Sequence, residues 1–253
     1  MMKCWRDFLV VNIVIPMAGD GTRFKDSKYV GPKPLIEFFG KPMIQHVLES
    51  LNIQGNYFFL VKEDENVNNI TDVLKHIVPD CIIKSVKETT RGPACSALIF
   101  ENEINTDDEL IITNCDQIMW WDSELFLYNA RYKNNDGLIV TYYTNTEKNS
   151  YASLDRDGFV KQIKEKEVIS NISLNGIHYW KMGKDFVESS KLMIEANDTA
   201  PNGEYYVGPT YNYMINKLNK KVGIYNIPNF QHNSVGIPED LDLYIEKHKE
   251  YEV

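Results

Sequence analysis

The chain has 253 residues, 43% of them hydrophobic and 25% charged, with 36 acidic against 27 basic side chains and a formal net charge of −9. That length buries an ordinary core without disulfide or metal staples, and no apolar run approaches the roughly eighteen residues of a membrane span. The acidic balance excludes a protein that grips a nucleic-acid backbone, which needs clustered Lys and Arg, so any phosphate is handled locally.

Short β-branched runs alternate with amphipathic stretches, the rhythm of an α/β domain with a mostly parallel sheet covered by helices. The apolar stretch Phe8 to Ala18 follows Lys3 and Arg6, but it lacks a small-residue cleavage site and is broken by Asn12 and Pro16. It reads as a buried strand over 11–16. A long loop over 18–34 follows, and ordered loops of that length usually carry function. After Gly40, Pro42 opens a helix whose Met43, Val47, Leu48 and Leu51 recur at helical spacing.

The pattern then predicts a strand at 57–61, a helix at 67–77, a strand at 81–86 and a helix from Gly92-Pro93 through Ile99. A strand at 109–113 ends at Asn114-Cys115-Asp116-Gln117. In open α/β sheets ligands bind beyond the carboxyl ends of strands, which singles out Asp116. The second half reads as a strand at 137–143 and a hairpin of 151–154 with 159–163, closed by Asp155-Arg156-Asp157-Gly158. A strand at 172–180, helices at 184–194 and 205–218, a strand at 222–227 and a last helix at 238–248 complete one domain over 1–253. Cys4, Cys81, Cys95 and Cys115 show no C-x-x-C spacing and read as free thiols of a cytoplasmic protein.

Gly19-Asp20-Gly21-Thr22-Arg23 directly follows the first strand. Glycines let backbone N–H groups approach an anion, and Arg23 adds a planar five-donor fork for phosphate oxygens. Phe24 stands where a dinucleotide fingerprint has its third glycine, and no Gly-Lys-Ser/Thr of a Walker loop follows. Downstream, Pro32-Lys33-Pro34-Leu35 clamps a lysine between two prolines, so its ammonium is aimed at little entropic cost.

With these residues the chain resembles the nucleotidyltransferases that join a sugar 1-phosphate to a nucleoside triphosphate, the nucleoside-diphospho-sugar pyrophosphorylases. Gly40-Lys41-Pro42-Met43-Ile44, Gly92-Pro93-Ala94, Asp116, Glu165-Lys166, Asn175-Gly176-Ile177, Gly203-Glu204-Tyr205-Tyr206 and Gly236-Ile237-Pro238-Glu239-Asp240-Leu241 extend the likeness over nearly the whole chain. It looks most like the short forms found in surface-polysaccharide gene sets. The resemblance implies a Rossmann-like, glycosyltransferase-A-like fold with a nucleotide-binding half at about 11–135 and an acceptor-binding half at about 136–253.

It also implies roles. Arg23 and Lys33 would be catalytic cations, and Ala18, Gly19, Gly21, Thr22, Lys87, Gly92 and Asp116 would line the nucleotide. Lys166, Asn175, Gly176 and Glu204 would meet the acceptor, Lys166 at its phosphate, and Asp116 would hold Mg²⁺. The partners would be a nucleoside triphosphate and a small phosphorylated acceptor, with no nucleic acid. Acceptors other than sugars occur in the wider group, including phosphocholine and amino-acid-derived phosphates, and the tyrosine content permits a homodimer.

Two departures stand out. Many relatives place a second aspartate two residues before a glycine, where this chain has Ser234 before Gly236, with His232 and Asn233 alongside; water or Asp122 would then complete the metal shell. Relatives that bind uracil or thymine often carry glutamine where this chain has Lys87. Lys87 and Glu88 suit the donor and acceptor pattern of cytosine, so a cytidylyltransferase using CTP and a non-sugar phosphate is one alternative. A non-catalytic nucleotide-sugar binding module, with Ser234 as its best support, is another.

Overall fold

The computed structural model describes residues 11–133 and 135–251; Cys4 and residues 8–10 of the first apolar stretch lie outside them. In chain order come β1 (Val11–Pro16), the single 3₁₀ turns Thr22–Phe24 and Lys33–Leu35, β2 (Glu37–Phe38), β3 (Lys41–Pro42), α1 (Met43–Leu51), β4 (Asn56–Lys62), α2 (Val67–Ile77), β5 (Ile82–Val86), α3 (Pro93–Leu98), α4 (Glu101–Ile104) and β6 (Glu109–Ile112). They continue with β7 (Gln117–Met119), α5 (Ser123–Tyr132), β8 (Gly137–Tyr143), β9 (Ser150–Leu154), β10 (Val160–Glu165), β11 (Ile172–Trp180), α6 (Gly183–Glu195), α7 (Val207–Leu218), β12 (Val222–Asn226), β13 (His232–Ser234) and α8 (Pro238–His248).

Period-2 alternation in β1 explains the layering. Val11, Ile13 and Ile15 pack on one face of the sheet with Phe59, Ile111 and Tyr179, beneath Val47, Leu74 and Phe126 of α1, α2 and α5. Val14 packs on the other face with Phe58, Ile112 and Trp180, beneath Ala97, Phe186, Tyr211 and Met214 of α3, α6 and α7. Strands buried on both faces read as continuous apolar runs, as Tyr57 to Val61 of β4 do. The result is one α/β domain whose central nine-stranded sheet has the order β10-β9-β11-β6-β1-β4-β5, with β8 pairing β11 and β12 pairing β8.

All strands of this sheet run one way except β10 and β11. β11 is therefore the seam. Its Ser173 pairs with β9, whereas His178 to Trp180 pair with β6, and the register shifts between Leu174 and His178. The stretch Asn175-Gly176-Ile177 lies in that shift, with Gly176 in the left-handed region at φ 104°. At this seam the carboxyl edge of the sheet opens into a cleft.

The predicted strands and helices occur within a few residues of their expected ends. Helix α7 starts at Val207 rather than 205 because the backbone of Tyr205 is engaged elsewhere: its N–H donates to Arg91 O at 2.8 Å, and its carbonyl accepts from Ala94 N at 3.0 Å. Helix α5 has no counterpart in the sequence reading. Leu125-Phe126-Leu127-Tyr128 is an unbroken apolar run without a helical stripe, and only Phe126 and Ala130 of its apolar residues are fully buried. Asp122 starts that helix, its Oδ1 accepting from Leu125 N at 2.9 Å. The three-residue β7 and β13, antiparallel to each other, also went unpredicted.

One buried group ties stability to pH. His178 is 6% exposed, its Nδ1 lacks a partner, and burial lowers its pKa from 6.5 to about 3. Below pH 6.5 the unfolded chain takes up a proton that the folded imidazole refuses, so stability is lost as pH falls through the window from 6.5 to about 3. The loss is about 1.4 kcal/mol per pH unit from this residue. Burial shifts His46 and His232 in the same direction. Thermal unfolding followed by circular dichroism should show Tm falling steadily between about pH 6.5 and 4.5, less steeply in His178→Gln.

Candidate active site

A cleft of about 900 Å³ follows the carboxyl ends of β1, β6 and β8 and the β11 seam. Its lining includes Pro16, Arg23, Asp116, Gln117, Tyr142, Ser150, Lys166, Asn175, Gly176, His178, His232, Ser234, Gly236 and Asp240. A small apolar cluster separate from the two main cores holds the loops that bring these residues in. It comprises Phe24, Ile36, Phe38, Met43, Ile118, Val235 and Leu241. Phe24 follows Arg23, Ile118 lies two residues beyond Asp116, and Val235 separates Ser234 from Gly236. The apolar neighbour is thus the anchor, and the polar residue beside it faces the cleft.

Lys33 and Asp116 form the central contact. Lys33 Nζ donates to Asp116 Oδ2 at 2.5 Å, with the two side chains 16% and 26% exposed. The flanking prolines act as their sequence implies: Pro32 is extended at φ −67° and ψ 138°, and Leu35 N donates to Pro32 O at 2.9 Å to close a single turn. Burial pulls the Lys33 ammonium down, but Asp116 and then Cys115 outweigh it, so its pKa is raised. Lys33 therefore stays charged across the neutral range. Arg23, exposed on the short turn after Gly21, opposes that rise as a like charge nearby. Gly21 sits at φ 57°, and a methyl group on it would lie 3.5 Å from Lys33 Cβ. A methyl on Gly236 would lie 2.6 Å from Asp116 Oδ2 and 3.5 Å from Lys33 Nζ.

On the far wall Lys166 occupies the left-handed region at φ 55°, its N–H donating to Asn149 O at 3.0 Å. Its Nζ donates to Tyr206 OH at 2.9 Å, and that hydrogen bond is the main cause of its raised pKa. Glu165 beside it is pushed up by burial and accepts from Ser150 Oγ. Asn175, 4% exposed, reaches His232 Nδ1 with its Nδ2 at 2.9 Å. Gly176 is held against Asn114, whose Nδ2 would be 2.3 Å from an added methyl carbon.

The other expected residues are placed differently. Ala18 is 5% exposed and packed in a main core, while Gly19 and Thr22 are exposed on the loop. Lys87 and Glu88 are exposed just after β5, on the same sheet edge as that loop. Gly92 is buried against the backbone of Tyr205. Glu204 accepts from Asn202 Nδ2 at 2.8 Å beside Tyr206, behind Lys166 rather than in the cleft lining. Asp122 caps α5, its Oδ1 accepting from Leu125 N, and is not among the residues lining the cleft. Ser234 lines the cleft, its Oγ accepting from Gly236 N at 3.4 Å.

Among the described residues no group of three or more His, Cys, Asp or Glu could hold a metal ion. Asp116 still fits a hard cation. Lys33 takes one carboxylate oxygen, which leaves the other as an acceptor, and Asp116 lines a cleft wide enough for phosphate oxygens and water. No motif in the sequence marks His178, His232 or Gln117 as functional. β13 is three residues long, too short to show the alternation that turns His232 and Ser234 into the cleft.

The chain is 27% identical over 232 residues to the bifunctional protein GlmU of Methanocaldococcus jannaschii, covering 91% of this chain and 52% of that protein. It is 34% identical over 101 residues to the 3-deoxy-manno-octulosonate cytidylyltransferase of Haemophilus influenzae, covering 40% of this chain and 36% of that one. The chain spans about half or less of the length of these curated relatives. Among solved structures, a nucleoside-diphosphate-sugar pyrophosphorylase from Vibrio cholerae RC9 superposes with a TM-score of 0.79 at 19% identity, covering 92% of this chain and 99% of that one. The inositol-1-phosphate CTP transferase of T. maritima superposes at 0.73 with 14% identity and 94% of each chain covered. Residues 13–209 match the family model described as nucleotidyl transferase, and the chain belongs to that family.

Proposed function

We propose that the protein transfers a nucleoside monophosphate from a nucleoside triphosphate to a phosphorylated, polyhydroxylated acceptor, a sugar 1-phosphate before others, and releases pyrophosphate. A phosphate oxygen of the acceptor forms the new bond to the α-phosphorus as the bond to the β-phosphate bridge breaks, and pyrophosphate leaves with that bonding pair. The observation that carries this reading is Lys33 held on Asp116, whose carboxylate lines a cleft that Arg23 and Lys166 also line. Such a reaction needs no covalent enzyme intermediate, only cations that position phosphates and neutralise developing charge.

Lys33 would meet the α-phosphate and the incoming phosphate, Arg23 the leaving phosphates and Lys166 the acceptor phosphate. The loop backbone at Ala18, Gly19, Gly21 and Thr22 would approach the triphosphate. Asp116 would hold Mg²⁺, which when bound neutralises phosphate charge. The lining beyond Asp116 mixes the hydrogen-bonding Gln117, Tyr142, Asn149, Ser150 and Asn175 with the charged Glu147, Lys148, Glu165, Lys166 and Asp240. The amides and hydroxyls among them suit the hydroxyl groups of a polyhydroxylated acceptor, and Lys166 suits its phosphate.

A pyrophosphate-release assay across CTP, UTP, dTTP and GTP with a panel of phosphorylated acceptors tests the reading. At least one pair should turn over, and nucleotide binding without release from any pair would leave a binding module instead. Lys87 and Glu88 favour a second, narrower reading in which the triphosphate is CTP, and the likeness to a cytidylyltransferase supports it. A clear preference for UTP or dTTP in the same assay removes it. With an active pair, Asp116→Asn should cut turnover about 100-fold and raise the Mg²⁺ concentration for half-maximal rate, as read in a metal titration.

A further inference from the structure

His232 carries a proton position that the surrounding hydrogen bonds determine. The backbone N–H of Ile177 points at Asn175 Oδ1 at 3.2 Å, and a backbone N–H can only donate. The oxygen of the Asn175 amide therefore faces Ile177. Gln117 Nε2, 3.4 Å from the same oxygen, agrees with that orientation. Asn175 Nδ2, a donor only, is then the atom 2.9 Å from His232 Nδ1. His232 Nδ1 accepts, and the proton of the neutral imidazole sits on Nε2. Turning the amide over would set donor against donor at Ile177 inside a residue that is 4% exposed, at the cost of an unsatisfied buried group.

The ring is also held in place. It lies over Tyr142 with centroids 4.5 Å apart and an interplanar angle of 33°, and Tyr142 OH accepts from Asn149 Nδ2 at 2.7 Å. On β13, His232 and Ser234 share the face that lines the cleft, while Asn233 turns away toward Ile118 O and Phe230 O. A ring nitrogen that bears hydrogen offers no lone pair to a metal ion, so His232 does not stand in for the carboxylate absent at Ser234. Its Nε2–H is a neutral donor, and Asp116 and Asp240 are the carboxylates near enough to act on the ring.

Resting on the nucleotidyltransferase reading, we propose that His232, locked by Asn175 as the Nε2–H tautomer, donates a hydrogen bond to a hydroxyl oxygen of the acceptor and so selects among polyhydroxylated acceptors without binding the metal. Long-range ¹H–¹⁵N spectra of the full chain labelled at histidine, with His232 assigned by its loss in His232→Gln, should show an unprotonated Nδ1 and a protonated Nε2. Adding Mg²⁺ should leave that pattern in place. A protonated Nδ1, or deprotonation of Nε2 on adding Mg²⁺, overturns the assignment.

Kinetics with an active pair give the second readout. His232→Phe keeps the ring over Tyr142 but loses the donor, and should raise the acceptor KM about tenfold, with kcat and the triphosphate KM within about twofold of wild type. His232→Gln restores an N–H and should recover most of that loss. An unmoved acceptor KM in His232→Phe, or a shift in the triphosphate or Mg²⁺ requirement instead, overturns the donor role alone. A wild-type protein inactive with every pair overturns the enzyme reading and the donor role with it.

Discussion

Lys33→Met should lower turnover by about 10²–10³-fold while leaving the fold intact. The ammonium sits 2.5 Å from Asp116 and about one methyl group away from Gly236, so it is fixed before any ligand arrives. A preorganised cation in a partly buried cleft counts for far more against developing phosphate charge than a mobile one in water. The structural cost of removing it is small. Asp116 keeps 26% of its side chain exposed and can be solvated where Lys33 leaves it, so Tm should move by only a few degrees. Steady-state pyrophosphate release and a thermal melt of the same sample check both halves, and an unchanged rate would remove Lys33 from the mechanism.

Gly92→Ala should destabilise the protein by about 3 kcal/mol or more, lowering Tm by roughly 6–12 °C. The added Cβ would lie 2.5 Å from Tyr205 O and 2.6 Å from Tyr205 N, both backbone atoms, and the residue sits at φ 119°. Neither neighbour can rotate aside, and alanine rarely adopts that backbone conformation. The collision also reaches the cleft. Ala94 N and Arg91 O bond the two sides of Tyr205, and Tyr206 next in sequence holds Lys166. Activity at low temperature should therefore fall with a raised acceptor KM, which separates this effect from simple unfolding. A melt of Gly92→Ala that overlays wild type would show that the backbone yields more readily than the geometry implies.

The candidate site was legible in unequal parts. The glycine loop, the proline-clamped Lys33 and Asp116 at a strand end are local signals, each set by turn chemistry or by strand periodicity over a few residues. Glu165-Lys166 was legible only through resemblance, because Lys161, Lys164 and Glu167 make the same stretch look like a solvated charge run. Gly92 read as a nucleotide contact, yet its side-chain position is filled by the backbone of a segment more than a hundred residues away in sequence. Asp122 read as a spare carboxylate, and it caps α5. An N-cap can be recognised only once its helix is, and the unbroken apolar run of α5 concealed that helix.

By itself the sequence determined the α/β rhythm, the nucleotide-side motifs and the order in which they occur, because alternation, helical spacing and glycine or proline punctuation act over short distances along the chain. Only the tertiary structure decided which of these residues meet. Lys33 finds Asp116 across 83 residues, and Asn175 sets the proton on His232 across 57. The first rests on the small apolar cluster that packs the loops of both residues, the second on β11 parting β9 from β6 and on a three-residue strand, β13, docking on β7. A three-residue strand is too short to have a readable period, and a seam in a sheet leaves no mark in local propensity. Packing across the whole domain creates both.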